Sequence, residues 1–463
     1  MIRKRFTARK AGASSRQGDV GASLDGRGSI RYGEIMVARI LGVPLALAVS
    51  LPAAGCGSRT GLPVGAAQDA PPGGDGGLSP QSSNACPYTS GPQAGAPWPM
   101  VGRCPDHAAH ADVAGSSSNN VKWTAPLGAP PWQPVIGAGG ILYAAAGTKL
   151  FAITGSGVVS WTFDAHAPIG GSPAIADAGT VYVASMNPMG QNGGPTKLHA
   201  VDPEGRALWA TDLPGGSSSI PILGADGTVY LGLGAALHAV RPDGTVIWHH
   251  AYPPNGFGES PPAIGADGTL YVTLSGRPNL LAIDPSGDPL WQFDVKDHDA
   301  RYELGAAVDT SAAVAPDGTA YFATGMGDSG SFSTVFAVDR HGNLRWARDF
   351  GYGTGGPHDT AVAIAPDGSV VGSNSSGTIA SFTPAGVLSW TFETKDVASS
   401  PVLDVDGTVY VGGLYHFALT AVSAGGTLAW LLPLSSSVGA PSIAANGDLV
   451  VATEDGMLYA IGR

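Results

Sequence analysis

Ser219-Ile-Pro-Ile-Leu-Gly-Ala-Asp226-Gly-Thr-Val-Tyr-Leu-Gly-Leu233, followed by Leu237-His-Ala-Val-Arg-Pro-Asp-Gly-Thr-Val-Ile-Trp248, is one unit of a pattern that returns along most of the chain. An apolar strand leads to a Gly-bearing turn. A Val-Tyr-Val-like strand follows, then a Leu-x-Ala-Val strand, a second Gly turn and a strand carrying Trp. Asp-Gly and Asn-Gly supply the positive φ that closes tight hairpins, and the β-branched and aromatic runs between them suit pleated strands. The first turns fall at Gly139, Gly179, Gly227, Gly268, Gly318, Gly368, Gly407 and Gly447. The tryptophans fall at Trp123, Trp161, Trp209, Trp248, Trp291, Trp346, Trp390 and Trp430. Both sets have eight members.

A four-stranded sheet of this size cannot bury both of its faces alone. Stacking sheets of about 40 residues around an axis solves this. The expected fold class is therefore all-β: an eight-bladed β-propeller of four-stranded antiparallel blades over residues 96–463. The last unit stops at Met457-Leu-Tyr-Ala-Ile461 without a Trp strand, whereas Val121-Lys-Trp123 precedes the first complete unit. The N-terminal strand is expected to complete the final blade and close the ring, which removes open sheet edges. The tryptophans are expected to fill the space that widens between blades away from the axis.

Composition agrees. The chain of 463 residues has 69 Gly and 37 Pro but is 43% hydrophobic with 10 Trp, too apolar for disorder. Charged residues are 13%, about half the usual ~25%. Gly lacks the three-residue period of collagen, and scarce Lys and Glu exclude a charge-laced helical bundle. The net charge is −12, and nine of the 24 basic residues lie in the first 55. The remainder repels phosphate backbones, so nucleic acid is not an expected partner.

The N-terminus reads as an export signal. Residues 1–35 are polar and basic; Met36-Val-Ala-Arg39 opens a basic region, and Ile40 to Leu51 is a 12-residue apolar run broken by Pro44. That run is too short to span a membrane and has the size of a signal core. The expected start is Met36, which makes residues 1–35 a non-native extension and 1–55 the extension plus signal peptide. Ala53-Ala54-Gly55-Cys56 resembles a bacterial lipobox, with Ala53 where Leu is usual. The resemblance implies lipidation of Cys56. Residues 56–95 are then the lipidated cysteine and a flexible, Gly/Pro/Ser-rich tether. Cys86 and Cys104 are expected to pair in an oxidising compartment.

The repeat resembles the pyrroloquinoline-quinone-like (PQQ-like) propeller repeat. Asp226-Gly-Thr-Val-Tyr with Leu237-His-Ala-Val, and Asp406-Gly-Thr-Val-Tyr-Val with Leu419-Thr-Ala-Val, carry the likeness. Pro97-Trp98-Pro-Met100 resembles the segment that precedes such propellers. Two relatives frame the function. The outer-membrane assembly lipoprotein BamB, a cofactor-free propeller on a lipid anchor, is similar in layout. Quinoprotein alcohol and glucose dehydrogenases share the eight blades and need PQQ, Ca²⁺ and a catalytic Asp. No catalytic residue can be matched here, and no two cysteines are adjacent. The expected function is a non-catalytic binding scaffold in the bacterial cell envelope, anchored at the outer membrane by lipid alone. It is expected to be monomeric, without cofactor or metal, and to bind an envelope protein, peptide or glycan. The alternative is a quinoprotein oxidoreductase with PQQ and calcium.

Strand order predicts two faces. Tight turns between first and second strands share one face with the turns before Trp. All elaboration falls on the other, at 186–196, 325–333 and the post-Trp segments 249–260, 294–310 and 349–360. Function concentrates on such loops. They hold His250, Tyr252, Glu259, Asp297, His298, Asp299, Arg301, Tyr302, Glu303, Tyr352, His358 and Asp359, the densest polar and aromatic group in the chain. These are the candidate binding rim near the central channel. Asp297-His298-Asp299 with His358-Asp359 supplies metal-ligating residue types. His107 and His110 are read as structural.

Overall fold

The computed structural model describes residue 86 and residues 91–186, 195–215, 220–233, 236–251, 260–274, 277–302, 308, 311–324, 332–352 and 361–463. All lie in one unit, Leu78–Arg463. They form eight four-stranded antiparallel sheets, seven of which use strands consecutive in sequence. The third blade illustrates the rest: Ile222–Leu223 is innermost, followed by Val229–Leu233, Ala236–Val240 and the outer strand Val246–Ala251.

Burial explains why the middle strands lack polar alternation. Val229–Leu233 is buried throughout because each of its faces meets another sheet. The outer strand alternates exposed with half-buried residues because only one side has a neighbour. In six blades the second-strand Tyr packs on the outer-strand Trp of the same sheet, with ring centroids 5.7–6.0 Å apart, as in Tyr230–Trp248.

Each Trp also joins its blade to the next. Trp161 lies over Gly205 of the following blade, where an added Cβ would sit 2.7 Å from the indole, and its Nε1 donates to Pro203 O at 2.9 Å. The same donation recurs from all eight tryptophans at 2.8–3.0 Å. The glycine of the second turn is thus required twice, for its left-handed φ and for the ring against it.

Closure follows the expected route. Asn120–Pro126 pairs with Met457–Gly462 as the outer strand of the last blade, Trp123 opposite Ala460. Because that blade's outer strand comes from the other end of the chain, Trp430 finds its acceptor in Ser116 O, just ahead of it.

Candidate functional site

The predicted rim divides. His250 stands in an outer strand, not near the axis; its ring lies 5.2 Å from that of Trp248 and packs over Gly287 of the next blade. The outer strands of the third and fifth blades continue to Ala251 and Tyr352, so part of each expected loop is strand. Asp297 closes a 3-10 turn, Val295–Asp297, capped by the Asp294 side chain. His298 is exposed and stacks on Phe293 at 4.6 Å.

Arg301 is bound to its neighbours. Its guanidinium meets Asp349 through two bonds of 2.7 and 3.0 Å and also holds Asp299. Asp299 is kept below the usual carboxylate range by its hydrogen bond from Arg301. Burial pushes Asp349 up, but bonds from Arg301 and Thr334 bring it below that range. Tyr302 is buried beneath this cluster, its hydroxyl 2.7 Å from Thr334 Oγ1 and 2.9 Å from Thr324 Oγ1. Tyr302, expected on the binding rim, packs its ring in the core with Phe322 and Phe336 of the fifth blade. Asp299, Arg301 and Tyr302 come together, and His250 does not join them. Tyr252, Glu259, Glu303, His358, Asp359, Cys56 and the side chain of Tyr352 lie outside the described residues. Among the described residues, no three His, Cys, Asp or Glu side chains are grouped to hold a metal ion.

A different site emerges from residues 91–118. This segment, expected to be partly tether, is a strap wound around the inner ends of the blades. It starts ahead of the expected boundary at residue 96, with Gln93 N donating to Ile175 O. Trp98 exchanges two backbone bonds with Ile136. Ile175 N, Ile264 N, Val314 N, Ile364 N and Leu403 N then donate in turn to the carbonyls of Pro99, Pro105, Asp106, Ala108 and Ala109 at 2.7–2.9 Å. Six blades are engaged, each at the end of the inner strand nearest its tight turn. Most inner strands have only two residues, and the strap accepts the N–H groups their free edges would otherwise leave buried. The disulfide Cys86–Cys104 ties the strap to the chain that precedes it.

The strap has its own core. Buried Arg103 donates to Pro97 O and His110 O and pairs with Asp112. Arg103, His107 and Ala109 all have left-handed φ, between 54° and 67°. Such residues cost about 1 kcal/mol or more each and persist where the surroundings over-determine them. Burial pushes His107 down to about 4, which leaves it neutral, and pushes Asp106 up to about 6.

Between the strap and the inner strands lies a cavity of about 80 Å³. Its polar walls are Trp98 and His107 of the strap with Gln133, Ser311 and Ser400, which precede the inner strands of three blades. Gln133 Nε2 is used by Pro441 O and Ser311 Oγ by Pro261 O. Trp98 Nε1 and His107 Nε2 are fully buried without a hydrogen-bond partner. Among the described residues, no charged side chain lines the cavity. Its walls therefore do not fit a quinone bearing three carboxylates with a calcium ion. Sequence reading missed this site because the segment has no period. Its one signal is Pro97-Trp98-Pro-Met100, a buried aromatic between residues that cannot donate or pack as a strand.

Comparisons with known proteins agree on the architecture. The family described as outer membrane protein assembly factor BamB matches residues 195–360. BamB from Moraxella catarrhalis superposes with a TM-score of 0.59 at 18% identity, over 75% of this chain and 100% of that one. The computationally designed Ika8 protein gives 0.57 at 13% identity over 75% and 100%. Sqt1 from Chaetomium thermophilum gives 0.54 at 13% over 75% and 99%. The serine/threonine-protein kinase AfsK of Streptomyces griseus is 33% identical over 130 residues, 25% of this chain. The chain spans about 15% of that curated relative's length. The chain carries a PQQ-like β-propeller of eight blades.

Proposed function

We propose that this chain is a bacterial cell-envelope lipoprotein, anchored at the outer membrane through Cys56, whose propeller serves as a non-catalytic scaffold for an envelope protein, peptide or glycan. The observation that carries this reading is the strap. Backbone bonds to six blades lay the strap along the tight-turn ends of the inner strands, which leaves the face bearing the long connections for a partner. On that face Arg301 is engaged with Asp299 and Asp349, which leaves this cluster poorly suited to acid–base chemistry. The match of residues 195–360 to a family described as an assembly factor supports the same reading.

Crosslinking in intact envelopes followed by purification of the full chain should recover a defined partner. The Cys56→Ser variant should leave the membrane fraction; unchanged fractionation would count against the anchor. Incubation with PQQ and Ca²⁺ should give neither a tightly held chromophore nor dye reduction with alcohols or sugars. A bound quinone with turnover would replace the scaffold reading with an oxidoreductase.

A further inference from the structure

We infer that the groove between the sixth blade, residues 361–393, and the seventh, residues 402–433, is a binding site for the phenol ring of a tyrosine presented by a partner polypeptide. The molecule itself supplies the pattern. In six blades the second-strand Tyr packs on the outer-strand Trp. In the third blade the cross-strand row reads Tyr230, Ala239, Trp248. In the sixth it reads Val371, Ser381, Trp390. Residues directly opposite one another share a face of the sheet, so Val371, Ser381 and Trp390 look onto one space, and a valine stands where the other rows place a tyrosine. The following blade enlarges the difference. The carbonyl that accepts the Trp248 indole belongs to Pro285, whereas the one that accepts Trp390 belongs to Ala424. Two rings present at the third-to-fourth groove are therefore replaced by small side chains here.

The two open grooves differ accordingly. Between the third and fourth blades the space is about 210 Å³, walled by Tyr230 and Pro285. Between the sixth and seventh it is about 360 Å³, walled by Val371, Ala424 and the Trp390 indole itself. A cavity of about 150 Å³ admits benzene, so a phenol ring has room. The indole is half-buried and fixed. Its Nε1 donates to Ala424 O at 2.8 Å, and a Cβ on Gly426 would lie 2.7 Å from the ring. The polar wall repeats as well. In the third blade burial and then the Asp226 carboxylate push the Tyr230 hydroxyl up to about 12, which marks that carboxylate as a neighbour of the phenol. Asp367 holds the place of Asp226 in the sixth blade, each accepting the backbone N–H two residues on, and Asp367 lines the groove. A phenol O–H donates to a carboxylate, and tyrosine joins an apolar ring to that polar tip, which suits it to interfaces. Among the described residues, none of those lining the groove belongs to the strap. The site lies on the tight-turn face and does not rest on the reading of the loop face.

The test uses the full chain labelled with ¹⁵N at the indoles. Loss of one of the ten Trp peaks in Trp390→Phe assigns the Trp390 signal. The tyrosine side chain as a free molecule, p-cresol, should shift that peak saturably and leave the indoles of the six tyrosine-bearing blades in place. Toluene lacks the hydroxyl and should bind roughly fivefold more weakly, the loss of about one hydrogen bond. N-acetyl-tyrosinamide, which carries the ring on a backbone, should shift the same peak. Val371→Tyr supplies the ring from within and should abolish the shift. Ala424→Pro, the residue of Pro203, Pro242, Pro285 and Pro384 at this turn position, should narrow the groove and weaken p-cresol. The six reference indoles report that each variant is folded. Absence of a saturable shift with p-cresol, or a shift that persists in Val371→Tyr, would overturn the site. Toluene binding as tightly as p-cresol would overturn the phenol class, and a response to p-cresol without one to N-acetyl-tyrosinamide would overturn the polypeptide partner.

Discussion

Gly139 and Gly386 share nearly the same backbone, with φ of 79° and 76°, yet differ in what surrounds them. A Cβ on Gly139 meets nothing within 4 Å, whereas one on Gly386 would lie 2.6 Å from the Trp346 ring. Gly139→Ala should cost about 1 kcal/mol, the penalty of the left-handed region, and Gly386→Ala at least about twice that, because the inter-blade contact must also open. Urea midpoints of the two variants check this. The strap offers a second contrast. Burial holds His107, and likewise His199, near 4 against an ordinary value of 6.5. Their contribution to stability is full above 6.5 and is lost as pH falls from 6.5 to about 4. Asp106, pushed up to about 6 from 3.8 by burial, acts oppositely: its contribution is full below 3.8 and lost as pH rises through 6. Asp106→Asn keeps an acceptor for Ala108 N and should raise the melting temperature at pH 7.5 but not at pH 3.5.

At the scale of the element, the outer strand does two tasks through one residue. Trp346 donates to Pro384 O at 2.9 Å and is the most buried of the eight repeat tryptophans. Trp346→Phe removes the donor and should cost about 1 kcal/mol. Trp346→Ala also removes the ring from the inter-blade contact and should cost about 3 kcal/mol. Equilibrium unfolding of the pair separates hydrogen bond from packing. The alternation of the outer strands and the turn glycines made these elements legible beforehand. The rim was less so. His250, Arg301 and Tyr302 carry polar or aromatic chemistry suited to a binding surface, and whether such a side chain faces solvent or a neighbouring carboxylate depends on how its loop folds back, which no local pattern encodes.

For the whole molecule, the N-terminal segment is both strap and seal. It bonds to the inner strands of six blades and then supplies the outer strand Asn120–Pro126. A chain beginning after Pro126 leaves Met457–Gly462 as an open edge and uncovers the inner strands, which invites intermolecular pairing. It should elute from size exclusion as soluble aggregate, well ahead of the full chain. Breaking the Cys86–Cys104 link, whose ends are 18 residues apart, leaves both functions in place. Reduction should therefore lower stability by about 3 kcal/mol while the far-ultraviolet spectrum at 25 °C stays that of the folded propeller.

Eight blades, their strand order and the closing strand follow from sequence alone, because each rests on a local device repeated at regular spacing. The first-turn glycines take the left-handed φ in every blade, and a Trp strand without its unit must pair with a unit without its Trp strand. The path of residues 91–118 had no such device. Arg103, His107 and Ala109 hold conformations their own chemistry disfavours, and only the carbonyls and N–H groups of six distant blades make that path favourable. The cavity at Trp98 and His107 therefore belongs to the tertiary structure, since its walls come from residues more than 300 positions apart that meet only when the ring has closed.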